Sequence, residues 1–171
     1  MTVADRKPRL GLPLSVIVPL GLLAAPRVVL HDLDVIHEGS AVNAVLVFLP
    51  LLVWIAVAVR CAANPFVALL ATGGVYGGCL MLVHNLFWSR QFGDDPPRLG
   101  GNLADRLPPA AEEAVLRAAM SVSSLFTGLA VGTLCGAVAW LLCHVRNKRH
   151  LRNKRHLGND RHSRSNGKPG S

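Results

Sequence analysis

Within eight residues the chain carries His31, Asp32, Asp34, His37 and Glu38. A third histidine, His84, falls about one turn from the end of a later apolar stretch. Neutral imidazoles and carboxylates are ligands for divalent transition metals. His31, His37 and His84, helped by Asp34 or Glu38, therefore form a candidate zinc or copper site. Against it, the spacing follows no metal-binding motif, and six positions separate His31 from His37. The plainer reading is a polar loop whose histidines meet water and headgroups, and it takes precedence. Apart from that metal, no cofactor is implied, and no pattern marks a catalytic residue.

The second candidate chemistry is anion binding. Arg-Asn-Lys-Arg-His-Leu stands twice in succession, at 146–151 and 152–157. Arg146, Lys148, Arg149, Arg152, Lys154 and Arg155 make it strongly basic, and the last 28 residues hold nine of the 18 Lys and Arg. Near an anionic leaflet each such charge contributes about 1 kcal/mol. Lipid headgroups are preferred over nucleic acid as partners, since no aromatic residues interleave with the charges to stack on bases. His144, His150, His156 and His162 recur every six residues. On a helix that spacing rotates them apart, so they do not converge on a metal. The polar end of the chain reads as a disordered tail.

These groups must be positioned by membrane helices. Of the 171 residues 51% are hydrophobic and 16% charged, whereas a soluble domain carries roughly 25% charged residues. The deficit is local, because long stretches carry no charge at all. Apolar spans cover 10–30, 41–59, 66–88 and 118–143. The first would be ~31 Å long as a helix, enough to cross ~30 Å of hydrocarbon. Arg6, Lys7 and Arg9 in front of it mimic a signal peptide, but the apolar run is too long for a signal core of about 7–15 residues. Pro13, Pro19 and Pro26 should kink this span. Residues 31–40 and 89–117 are loops, the latter interrupted by Pro96-Pro97 and Pro108-Pro109, and 60–65 is a short connection. The fourth helix could begin outside the membrane, over 110–117, with Glu112 and Glu113 in its first turn.

Orientation follows from the basic residues. Segments 1–9, 60–65 and 144–171 carry 13 Lys and Arg, whereas the other side carries five and eight of the ten acids. The positive-inside rule then puts 1–9 and the tail in the cytoplasm. The expected fold is all-α, a four-span helical bundle of the cell membrane. Arg outnumbers Lys 14 to four, which with the Ala, Gly and Val content points to a GC-rich bacterial genome. Cys61, Cys79, Cys135 and Cys143 form no CxxC pair and read as free thiols in apolar surroundings.

Small residues repeat every fourth position in the fourth span, Ser124, Gly128, Gly132 and Gly136, while the third has Gly73 with Gly77 and Gly74 with Gly78. Such grooves let helix backbones approach in lipid. The two spans are expected to pack on each other, the alternative being a homo- or hetero-oligomeric contact through one groove. No acid or Lys lies deep in a span, which counts against transport through a membrane carboxylate. Small multidrug transporters need an acid in the first span, and the paired thiols of vitamin K epoxide reductase-like proteins are also missing. The expected role is a non-enzymatic accessory or interaction protein. The alternatives are a small transporter or channel subunit and an outer-face metal-binding protein.

Overall fold

A computed structural model describes residues 9–33, 35–37, 39–93 and 95–166, without the side chains of 150, 151 and 153–166. Helix is the regular structure throughout. The elements are α1 (Leu14–Leu22), α2 (Ala25–Asp32), α3 (Ala41–Cys61), α4 (Pro65–Leu86), the short α5 (Trp88–Phe92), a 3₁₀ turn (Gly101–Leu103) and α6 (Pro109–Asn166). Four helical segments are long and apolar enough to cross a membrane: Leu14–Asp32, Ala41–Cys61, Pro65–Leu86 and Pro109–Arg149.

Local chemistry explains the boundaries. Ser40 caps α3, its hydroxyl accepting from the Asn43 N–H at 3.2 Å. Asn64 caps α4 in the same way, accepting from Val67 N at 3.3 Å, with Pro65 following at the first helical position. The first span is broken into α1 and α2. Pro26 has no N–H to give the Leu22 carbonyl, and its ring crowds that carbonyl, so the helix stops at Leu22 and restarts at Ala25. Nearby, the indole Nε1 of Trp54 donates to Leu20 O at 2.6 Å. Trp54 is fully buried and meets Tyr76 edge-on, with ring centroids 5.9 Å apart.

The centre of the molecule is the antiparallel pair α4 and α6. A methyl group on Gly73 would strike Gly128 O and lie 2.7 Å from Gly132 Cα. One on Gly77 would come within 3.0 Å of Leu125 Cα, and one on Gly132 within 2.6 Å of Leu69 O. Gly136 lies against Phe66. The obstacles are mostly backbone atoms, which cannot swing aside. Gly74 and Gly78 behave differently: a Cβ on Gly78 meets nothing within 4 Å, and one on Gly74 only Leu129 Cδ2 at 3.8 Å. Two overlapping glycine pairs in one span thus divide into a packed pair and an open one.

Around this spine the bundle is apolar outside as well as inside. Val42, Val45, Phe48, Leu49 and Leu52 of α3 are all more than half exposed, and so are Val122, Phe126, Leu134, Trp140 and Leu141 of α6. Positions 42, 45, 49 and 52 lie on one helix face. A soluble surface does not carry so continuous an apolar face, whereas lipid tails suit it.

One end of the bundle gathers the start of α1, the α3–α4 connection and the base of the tail. Ala63 N donates to Gly11 O at 3.0 Å, and Arg146 Nη2 donates to Val59 O at 3.3 Å. Where disorder is expected after residue 143, the backbone continues as helix to Asn166. A helix already nucleated over its apolar length extends without a new nucleation cost, and 144–166 contains only one glycine and no proline.

The glycine contacts generate a test. Gly128→Ala places a methyl on the Gly73 and Gly77 backbone, and overpacking of this kind costs roughly 1–3 kcal/mol. Gly78→Ala enters open space, and alanine is the better helix former by up to ~1 kcal/mol. Thermal unfolding in detergent should show Gly128→Ala well below the parent and Gly78→Ala at or above it. Equal midpoints for the two variants would remove the backbone contact as the cause.

Candidate functional site

At the other end of the bundle α2, α4 and α6, with Gln91 of α5, line a half-open cleft of about 300 Å³ that mixes polar and apolar walls. α2 contributes Arg27, Val28, His31 and Asp32; α4 contributes Tyr76, Leu80 and His84; α6 contributes Met120, Ser123, Ser124 and Thr127; Gln91 of α5 stands at the rim. Asp32 is the last residue of α2, so its carboxylate is carried by a helix rather than by the loop in which the sequence reading set it. Val28 and Asp32 are one helical turn apart and both buried, which turns this face of α2 onto α4.

The Asp32 side chain is 1% exposed. His31 Nδ1 and His84 Nε2 both stand 3.6 Å from its Oδ1. That distance suits electrostatic attraction but is too long for a hydrogen bond. Neither carboxylate oxygen has a hydrogen-bond partner among the described residues. The other nitrogen of His84, Nδ1, lies 3.1 Å from Ser124 Oγ, and this contact fixes the ring's direction. At the mouth, Arg27 Nε donates to Asn43 Oδ1 at 3.0 Å and joins α2 to α3.

The candidate metal ligands are only partly brought together. His31 and His84 converge on Asp32, whereas His37 is exposed in the connection after α2. Asp34 and Glu38 lie outside the described residues. Among the described residues no three His, Cys, Asp or Glu side chains are grouped to hold a metal ion. Of the basic set, Arg146, Lys148, Arg149 and Arg152 are exposed, and the side chains of Lys154 and Arg155 are not among those described. Ser124, expected as a packing residue, both packs and bonds His84: its carbonyl lies 3.1 Å from where a Gly77 Cβ would stand.

A further polar network, missing from the sequence reading, joins α4 and α6 above the glycine contacts. Asn85 Nδ2 donates to Ser121 Oγ at 3.0 Å and to Met81 O at 2.8 Å. Ser121 Oγ donates to Arg117 O at 2.8 Å. Arg117 Nη1 donates to Asn85 O at 3.3 Å and its Nε to Glu113 Oε1 at 2.8 Å, while the guanidinium lies 5.0 Å from the Trp88 ring centroid. The signal was present in the spacing. Arg117, Ser121, Ser124, Gly128 and Gly132 follow one another at three or four residues, so the glycine groove runs outward into a polar stripe on the same helix face.

Ser124, His84 and Asp32 stand in the order of a hydrolytic relay, which prompts the question of acyl transfer. Ser124 is 5% exposed and lies in a helix interior facing α4. The N–H groups around it are committed to bonds within α6, so no backbone donor pair is free to stabilise an oxyanion. The arrangement is suited instead to holding charge.

Four helices of this length and apolarity, with a cleft at one end, define a multi-pass helical membrane protein. Comparisons with protein-family models, with curated proteins and with solved structures found no match.

The Asn85–Ser121 bond can be measured by a double-mutant cycle. Coupling between Asn85→Ala and Ser121→Ala in detergent stability should be about 0.6 kcal/mol, the mean for interhelical bonds in a membrane protein. Strictly additive losses would mean that the two side chains do not interact.

Proposed function

We propose that this is a four-span protein of the cell membrane, with the residues before its first span and after its fourth in the cytoplasm, and that it acts by association as a non-enzymatic accessory or interaction protein. The observation that carries this reading is the continuous α6. It belongs to the glycine-packed spine and then extends as a basic helix beyond the bundle end formed by Val59, Arg60 and Ala63. The 23 residues of 144–166 would project by ~35 Å at ~1.5 Å per residue. Cys143 and Arg146 both reach Val59 O, at 3.8 and 3.3 Å, tying the arm's base to α3. A projecting, charged and firmly rooted helix suits docking better than turnover. Its exposed Arg146, Lys148, Arg149 and Arg152 suit the headgroups of an anionic inner leaflet.

Because Gly73 and Gly77 are taken up by Gly128 and Gly132 within one chain, association through those grooves loses its support. The free faces are the apolar side of α3, the open Gly74 and Gly78 side of α4, and the arm. A second reading, a small transporter or channel subunit, is favoured by one observation: the buried Asp32 carboxylate beside His84.

Association is tested on protein extracted from native membranes into detergent-free lipid discs and weighed by native mass spectrometry. The expected species exceeds the mass of a single chain by a further copy or a partner, and carries anionic-lipid adducts that deletion of residues 146–171 removes. A bare single chain would overturn the association reading, and adducts that survive the deletion would overturn the lipid role of the arm. Topology is tested in a variant whose cysteines, Cys61, Cys79, Cys135 and Cys143, are replaced by serine or alanine. Gly100→Cys should react with an impermeant maleimide in intact cells, and Gly167→Cys only after permeabilisation. Reaction at position 167 in intact cells would reverse the proposed orientation.

A further inference from the structure

Asp32 presents an unresolved electrostatic demand. Its side chain is 1% exposed, and both oxygens lack a hydrogen-bond donor among the described residues. A carboxylate removed from water without donors is strongly disfavoured. The nearest cation-forming groups, His31 Nδ1 and His84 Nε2, approach the same oxygen and stop at 3.6 Å, beyond hydrogen-bond reach. When His84 Nδ1–H is donated to Ser124 Oγ, Nε2 is left as a lone-pair acceptor facing Oδ1. In that tautomer two acceptors stand side by side, an arrangement that a donor-rich cation satisfies.

We infer that the cleft between α2, α4 and α6 is a binding site for a small organic cation, a protonated amine, with the Asp32 carboxylate as its counter-ion and His84 Nε2 as a second acceptor. An ammonium group has three N–H donors and no acceptor, which matches two carboxylate oxygens and one ring nitrogen. The cleft is about 300 Å³, the lower end of the range for small-molecule sites. Its walls suit an apolar substituent, since Leu80, Met120 and Tyr76 line it. Ser123 and Thr127 are exposed and leave a way in along α6. Arg27 also lines the cleft, its Nε donating to the neutral Asn43 amide, so the bound cation shares the site with one fixed positive charge. A divalent metal is the poorer occupant, since no three ligand side chains are grouped among the described residues. This inference goes beyond the association reading and does not depend on it.

The test uses the full-length protein in lipid discs at neutral pH, with benzylammonium chloride as probe and benzyl alcohol as its neutral isostere, followed by calorimetry. Benzylammonium should bind saturably, and benzyl alcohol roughly tenfold more weakly or worse, as loss of a charge-assisted contact implies. Asp32→Asn should weaken benzylammonium by a similar factor while leaving benzyl alcohol unchanged. Thr127→Trp, which places a large ring at the exposed wall of the cleft, should weaken both probes. It also decides the matter if Asp32→Asn does not fold. No saturable binding to the parent, equal affinity for the two probes, or benzylammonium binding unchanged by either substitution would each overturn the site. So would saturable zinc binding that Asp32→Asn abolishes, with no response to the amine.

Discussion

The structure depends on the contact between two helix backbones. At Gly73, Gly77, Gly128 and Gly132 the space a side chain would fill is occupied by the opposing main chain. In water, burial of larger side chains would drive helices together. In lipid that drive is absent, because tails are as apolar as leucine, and dispersion between closely fitted surfaces takes its place. The closest fit is between surfaces with no side chains. The α4–α6 pair is therefore a consequence of four glycines in matching antiparallel register, with Leu69 opposite Gly132 and Phe66 opposite Gly136 extending it toward the basic end.

Everything else is arranged on that spine. α1 reaches α4 through Gly21, where an added methyl would lie 2.7 Å from Val75 Cγ1. Pro26 interrupts the hydrogen bonding of the first span between α1 and α2, and Trp54 stitches α3 to α1 through the Leu20 carbonyl. α2 carries Val28 and Asp32 as buried residues, with Val28 packed beside Leu80 and Val83 of α4. The cleft thus depends on which face of α2 meets α4.

The two ends of the bundle have opposite character. One end combines Arg60, the α3–α4 connection and the root of the basic arm, closed by Arg146 on the Val59 carbonyl. The other holds Asp32, His31, His84, Glu112, Glu113 and Arg117, with Arg117 paired to Glu113 and lying over the Trp88 ring. The polar end is also where chemistry specific to this chain is concentrated, because it combines burial with ionisable groups.

Hydropathy and composition alone specify four apolar helices, since a run of about 20 uncharged residues has few other stable fates. Spacing alone also singled out the small-residue faces of α4 and α6. It could not say which of two overlapping pairs would be packed: Gly73 with Gly77 and Gly74 with Gly78 are equivalent along the chain and differ only by a 100° rotation toward or away from α6. The end of the fourth helix was likewise beyond a reading of composition, because the same polar residues that discourage a helix in isolation extend one that is already formed. Asp32 is the clearest case. In the sequence it is one of five polar residues in a loop-like run. Only the tertiary structure buries it, because α4 covers this face of α2 and Ser124 fixes His84 beside it from 40 positions away. Pattern determines which residues prefer lipid; the packing of distant helices decides which polar group is denied water.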